Sequence, residues 1–182
     1  MTAEARLLMM RAMLGPPVEP IAIPGVLLSF LGRASIAYAG TRDRALVPHF
    51  HWVCGWNPEH DPSCLSFYLA RPFEARLLQD VAECPRIALT IEAIGPHETY
   101  QFKGDFGGSR KPGPEDRAIV ELRCERFVRD VQAIEKRFDF TAEALGRYHG
   151  KPALVVTLKV QEIFLQTPGP GAGRRLVPPE VR

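Results

Sequence analysis

Residues 65–106, LSFYLARPFEARLLQDVAECPRIALTIEAIGPHETYQFKGDF, read as strand, helix, strand, turn and strand. The run 65–69 is apolar and of strand length. Pro72 stands where a helix opens, a position at which its missing N–H costs nothing. Phe73, Leu77, Leu78 and Val81 then recur at helical spacing, and Cys84-Pro85 closes the helix. Residues 86–92 and 99–106 read as a strand pair joined by a loop that contains Gly95-Pro96.

The flanking sequence extends this pattern. Residues 35–39 form an apolar strand followed by a turn-like cluster at 40–44. In the strand 46–56, alternation puts Phe50, Trp52, Cys54 and Trp56 on one face and Val47, His49, His51 and Val53 on the other. The apolar face suits a barrel core, and the mixed face suits a ligand or partner outside. Residues 57–62 form a hairpin-type loop. Upstream, Thr2 caps a helix that runs to about Leu14, and Pro17, Pro20 and Pro24 impose an extended connector. Downstream, 107–114 reads as a mobile loop and 115–138 as a helix with Ile119, Leu122, Phe127, Val131 and Ile134 for its buried stripe. A shorter helix over 141–148, a closing strand over 153–164, a rigid turn at 168–173 and a loose tail complete the chain. The expected organisation is one domain over 1–182: helix and connector at 1–29, a helical insertion at 107–150, and a Gly/Pro-rich tail at 166–182. Strands outnumber helices, which gives a mainly β fold, a small antiparallel β-barrel with peripheral helices.

The 182 residues suffice for one core. A net charge of +2, with no basic block, argues against nucleic acid as a partner. Cys54, Cys64, Cys84 and Cys124 form no CxxC pair and read as reduced thiols. The apolar run 7–10 is preceded by Glu4 and Arg6 and broken by Arg11, without a cleavage pattern. No stretch reaches membrane-span length, so the expected location is cytoplasmic, with no membrane partner.

The candidate chemistry gathers at the strand-to-helix junction. Free N–H groups and the positive dipole end of a helix attract phosphate, and Arg71 and Arg76 lie within a turn of that end. Arg76 can instead pair with Asp80 at i,i+4. The order of elements resembles the FMN-binding split barrels of the pyridoxamine 5'-phosphate oxidase-like superfamily. Counting back from Pro85, Arg76 falls at the arginine of that family's Ser-Arg-Lys segment, Ala75 at its serine and Leu77 at its lysine. Counting back from Gly104, Thr99 falls at a strand glutamine, and Gln101 lies two residues on, on the same face as Lys103. The departures at Leu77 and on the second strand, which offers His49 and His51 where the oxidase pattern has Arg and Lys, fit the broad superfamily and not the oxidase itself. The resemblance implies a homodimeric split barrel with FMN at the subunit interface and a redox reaction on an undetermined small molecule. His49, Arg71, Arg76, Thr99 and Gln101 would be its cofactor contacts, with no catalytic residue assigned. Deazaflavin-using and haem-handling relatives leave those ligands, and a non-catalytic role, as alternatives.

His49, His51, Cys54, His60 and Cys64 also form an H-x-H-x2-C-x5-H-x3-C series. Zinc needs four converging ligands, and on a strand Cys54 points away from both histidines, so no metal is expected. An ordinary hydrogen-bonded histidine pair, a flavin or substrate contact, and haem ligation by His49, His51 or His149 remain open. The run PGPGAG at 168–173 lacks the Gly-Lys-Ser/Thr ending of a phosphate loop.

Overall fold

The computed structural model describes residues 18–134, 141–146 and 150–176. The expected helix over 2–14 therefore lies outside the described residues, as does His149. The elements are α1 (Gly25–Arg33), β1 (Ile36–Arg42), β2 (Pro48–Pro58), β3 (Cys64–Ala70), α2 (Phe73–Glu83), β4 (Arg86–Ala93), β5 (Glu98–Arg110), α3 (Pro114–Ile134), α4 (Ala142–Gly146), β6 (Pro152–Leu165) and β7 (Arg175–Leu176). All strand pairings are antiparallel, in the order β3-β2-β1-β4-β5-β6-β7, and a further β3–β6 pairing closes six strands into a barrel. The mainly β barrel with peripheral helices is thus the observed architecture.

Register decides which side chains enter the barrel. Ala37 pairs with Val53 and Ile91, and Ala39 with His51 and Leu89. Leu89 and Ile91 in turn face Phe102 and Tyr100. Leu65, Phe67 and Leu69 oppose Leu158, Val156 and Leu154. These residues, with Trp56, Phe30 and Leu31, form one continuous apolar core. The mixed face of β2 therefore points inward, the reverse of the expectation from its aromatic content. A bulge at Val53/Gly55 turns Cys54 and Gly55 toward α3 and brings Trp56 back inside. Phe50 is left 59% exposed on the outer surface.

Four other local expectations change. Helix α1 was not signalled by the sequence; Pro24 fixes its first turn, and Leu27, Phe30 and Leu31 drop into the core. The expected loop after Phe106 is strand through Arg110, continued past a second irregularity at Phe106/Gly108. The buried stripe of α3 is Asp116, Val120, Arg123 and Phe127, while Leu122 and Ile134 are exposed. The helix turns this way because the bare backbone of Gly55 admits Val120; a Cβ at Gly55 would stand 3.2 Å from Val120 Cγ2. Arg123 then donates to the carbonyls of Gly32 and Trp56 and stacks 4.5 Å over the Trp56 ring, and burial lowers its pKa to about 10. The fourth change is in the PGPGAG turn, which leads into β7 and pairs Arg175 with Phe164.

None of the four cysteines is in a disulfide, and burial pushes the Cys54 thiol up to about 12. Among the described residues no helix is long and apolar enough to cross a membrane.

At Gly104 the β5 and β6 backbones touch: an added Cβ would stand 1.8 Å from the Lys159 carbonyl oxygen. Gly104→Ala is expected to lower the unfolding free energy by about 3 kcal/mol, the upper end for overpacking, because backbone rather than a side chain must move. Urea denaturation of the two proteins measures this; a change below about 0.5 kcal/mol would show that the strands can separate freely here.

Candidate functional site

Helix α2 lies across the barrel end formed by β1, β2 and β3. Its apolar side, Phe73, Leu77 and Val81, continues the core. The same side carries Asp80, fully buried, toward the polar residues that β1 and β2 place inside. Register puts Thr41 opposite His49 and Ala39 opposite His51 on this inner face. One carboxylate therefore meets several donors. Thr41 Oγ1 donates to Asp80 Oδ2 at 2.5 Å, and His49 Nδ1 lies 2.9 Å from the same oxygen. An ionised carboxylate only accepts, so the Thr41 proton goes to Asp80. The Thr41 oxygen then receives the His51 Nε2–H at 2.7 Å. That chain assigns the tautomer of His51 and orients both histidines.

Arg76 stands one turn before Asp80, and its Nε is 2.9 Å from Asp80 Oδ1. The two atoms are close but off the hydrogen-bond line, so the contact is ionic. Arg76 Nη2 donates to Asp43 Oδ2 at 3.2 Å and lies 3.1 Å from His49 Nδ1. Asp43, in the β1–β2 turn, accepts the Val47 N–H, the largest of the influences that hold its carboxyl below the usual range. Burial lowers the His51 pKa, and the nearby Asp80 carboxylate only partly opposes this. Among the described residues, no group of three His, Cys, Asp or Glu side chains is arranged to hold a metal ion.

The sequence-derived site residues divide among three places. His49 and Arg76 belong to the Asp80 cluster, where Arg76 is paired with two carboxylates and its side chain stays 39% exposed. The i,i+4 pairing with Asp80 is the one realised. Arg71, 86% exposed, stands on the barrel rim 3.5 Å from Glu74. Thr99 and Gln101 lie on the outer face of β5. The Thr99 hydroxyl donates to the His97 carbonyl, and Gln101 Nε2 donates to Thr90 Oγ1. No two of these three groups converge within a single chain. The sequence reading missed Thr41 and Asp43 as polar partners and gave Asp80 only as the i,i+4 partner of Arg76. The signal for Asp80 was its position one turn from Arg76, on the Phe73–Leu77–Val81 side of an otherwise amphipathic helix.

The outer sheet face has its own geometry. One row across the strands runs Trp52, Tyr38, Thr90, Gln101 and Phe164; the next runs Phe50, Gly40, Ala88, Lys103 and Glu162. Gly40 and Ala88 make a shallow floor between Phe50 and Lys103, and Lys103 Nζ sits 4.4 Å over the Phe164 ring. Helix α3 covers the Trp52 end, where Phe127 packs against that indole.

The folded protein holds His51 neutral more strongly than the unfolded chain does, so the unfolded state binds more protons as pH falls below the ordinary value of 6.5. Stability from this site is therefore complete above about pH 6.5 and declines as pH drops toward the lowered pKa. Replacing His51 with Gln should flatten the pH dependence of urea unfolding between about pH 7 and 5. An unchanged slope would assign the proton uptake to other groups. Separately, Asp80→Ala should cost about 3–5 kcal/mol, because it leaves buried donors and a guanidinium without their carboxylate.

No family model and no curated protein matches the chain. Similar solved structures include HupZ of group A Streptococcus, 15% identical over 83% of this chain and 99% of that one, with a TM-score of 0.49. A putative pyridoxamine 5'-phosphate oxidase from Lactobacillus delbrueckii is 15% identical over 79% and 93% of the two chains, at 0.46. A protein described as F420 reductase is 14% identical over 78% and 98%, at 0.44. At these values the likeness concerns the chain trace and carries nothing about ligand or activity. Six antiparallel strands closed through the β3–β6 pairing, with α2 across one end, make this chain a split barrel, the architecture its resemblance to the pyridoxamine 5'-phosphate oxidase-like superfamily implies.

Proposed function

We propose that the protein is a homodimeric split barrel that holds a flavin-type cofactor on the outer face of β1, β4 and β5 and uses it for redox chemistry on a small molecule. The observation that carries this reading is the floor of Gly40 and Ala88 between exposed Phe50 and Lys103, with Thr90 and Gln101 in the adjoining row. A planar conjugated ring fits such a surface: small residues allow close approach to the sheet, an aromatic edge covers apolar area, and amide and hydroxyl groups can meet ring heteroatoms. The same exposed phenylalanine favours burial against a second copy. When bound, a flavin supplies the electron-carrying ring; the chain supplies position and electrostatics.

The fit is partial. The face suits the ring, whereas Arg76 is already engaged by Asp80 and Asp43, so a phosphate there would share it with two carboxylates. That engagement favours, as a second reading, a barrel that holds a conjugated ligand by its ring and without catalysis. Haem fits less well, since iron ligation by His49 or His51 would take them from Asp80 and Thr41.

Sedimentation should give a particle of twice the 20.3 kDa chain mass, and FMN titration should quench flavin fluorescence with saturation. Ala88→Leu fills the floor and should weaken FMN at least about tenfold with an unchanged melting midpoint. A monomer that ignores FMN would overturn the proposal, as would an Ala88→Leu protein that binds it like the parent.

A further inference from the structure

Away from both the Asp80 cluster and the outer face, a cleft of about 550 Å³ opens at the barrel rim. It is lined by Ala70, Arg71, Lys111, Pro112, Arg117, Gly150, Lys151, Pro152 and Ala153. Four of these nine residues are cations and none is an acid. We propose that this cleft is an anion site for a phosphate-bearing small molecule.

The backbone forces the four cations together. Ala70 and Pro152 form the last rung between β3 and β6, so Arg71 and Lys151 leave the two strands side by side. Gly150 makes the approach possible: its φ is +56°, and a Cβ there would stand 2.9 Å from Ala70 Cβ. On the other wall, Arg110 holds Asp116 through two bonds of 2.6 and 2.8 Å, and Gly113 N–H donates to Asp116 at 2.7 Å. This clamp fixes the turn from β5 into α3 and with it the neighbouring residues Lys111 and Arg117. It also occupies the buried Asp116 carboxylate, which the Arg110 guanidinium holds below its usual pKa. The acid next to Arg117 in sequence is thus already neutralised. Arg71 contacts Glu74 at 3.5 Å, and among the described residues Lys111, Arg117 and Lys151 form no ion pair.

Like charges placed side by side repel, and the repulsion falls when a multivalent anion joins them. The floor of Ala70, Pro112, Pro152 and Ala153 is small and apolar, so the cations supply the recognition and the floor excludes water from one side of the ligand. A phosphate, with charge beyond one and several acceptor oxygens, matches two guanidinium forks and two ammonium groups better than a single carboxylate does. The inference does not rest on the flavin reading. The phosphate could belong to a flavin nucleotide or to a separate phosphorylated ligand, and the two sources can be told apart.

The test is calorimetric titration of the full chain with inorganic pyrophosphate at low and moderate salt. The parent should bind saturably and lose affinity with salt. Lys111→Gln/Arg117→Gln/Lys151→Gln should weaken binding at least about tenfold, while Arg129→Gln/Arg174→Gln/Arg175→Gln, an equal charge change elsewhere, should stay within about twofold. Arg71→Gln alone should weaken it with the melting midpoint unchanged, which separates ligand loss from misfolding. With the site so established, displacement of pyrophosphate by FMN and not by riboflavin would assign the phosphate to the flavin. Displacement by neither would assign it to a separate ligand. No saturable binding, or equal loss in both triple variants, means an adventitious ion only and overturns the proposal.

Discussion

The carboxylate of Asp80 is the constraint around which this end of the protein is organised. It lies inside the barrel, where an unpaired charge would be prohibitive, and it is kept there by groups from three elements: Thr41 of β1, His49 of β2 and Arg76 of its own helix. Each contact also positions its partner. Thr41 hands the orientation on to His51, and Arg76 reaches across to Asp43 in the turn between the strands. Helix α2 is consequently both a hydrophobic lid and an electrostatic tie. Replacing the cluster with apolar side chains of like volume could leave stability unchanged, but breaking one member could not, and that asymmetry explains why its polar residues come as a set.

This arrangement decides what Arg76 can do. On sequence grounds the residue sits where a phosphate ligand is expected. In the fold its guanidinium faces a buried carboxylate on one side and a half-buried one on the other. A second anion would have to compete with both. The cations on the rim are different: they surround a cleft without an acid in its lining. The net charge of +2 hides this difference, because it averages clamped pairs such as Arg110–Asp116 with uncompensated groups such as Lys111 and Arg117.

Much of the fold was legible. The strand-helix-strand-turn-strand order of residues 65–106 survives almost residue for residue, because Pro72, Cys84-Pro85 and Gly95-Pro96 punctuate it locally. The inside and outside of β2 were not legible. Alternation defines two faces but cannot say which is inner, and here the aromatic face is taken up by α3, a neighbour, and an open surface. The bulge at Val53/Gly55 then breaks the alternation, so Trp56 belongs to the core although Trp52 does not. Helix α1 escaped notice for a similar reason: its nine residues are apolar on more than one side, and their helical period only acquires meaning against the barrel it covers.

The candidate site was legible in its parts and not in its assembly. His49, Arg76 and Asp80 are separated by intervals of 27 and 4 residues, and only the fold of α2 over the β1–β2 pair makes them neighbours. Thr99 and Gln101 share a strand face with Lys103, as alternation predicted, but that face points away from the histidines because the barrel wall lies between them. Within one chain the wall separates Thr99 and Gln101 from His49 and Arg76, so the expected interface site would draw its five contacts from two copies. The polar residues inside serve the closure of the barrel. The two surfaces proposed for ligands both depend on small residues: Gly40 and Ala88 flatten the sheet, and Gly150 lets the chain close on Ala70 at the rim. Side-chain type suggested the chemistry, while the absence of side-chain bulk locates where that chemistry can be reached.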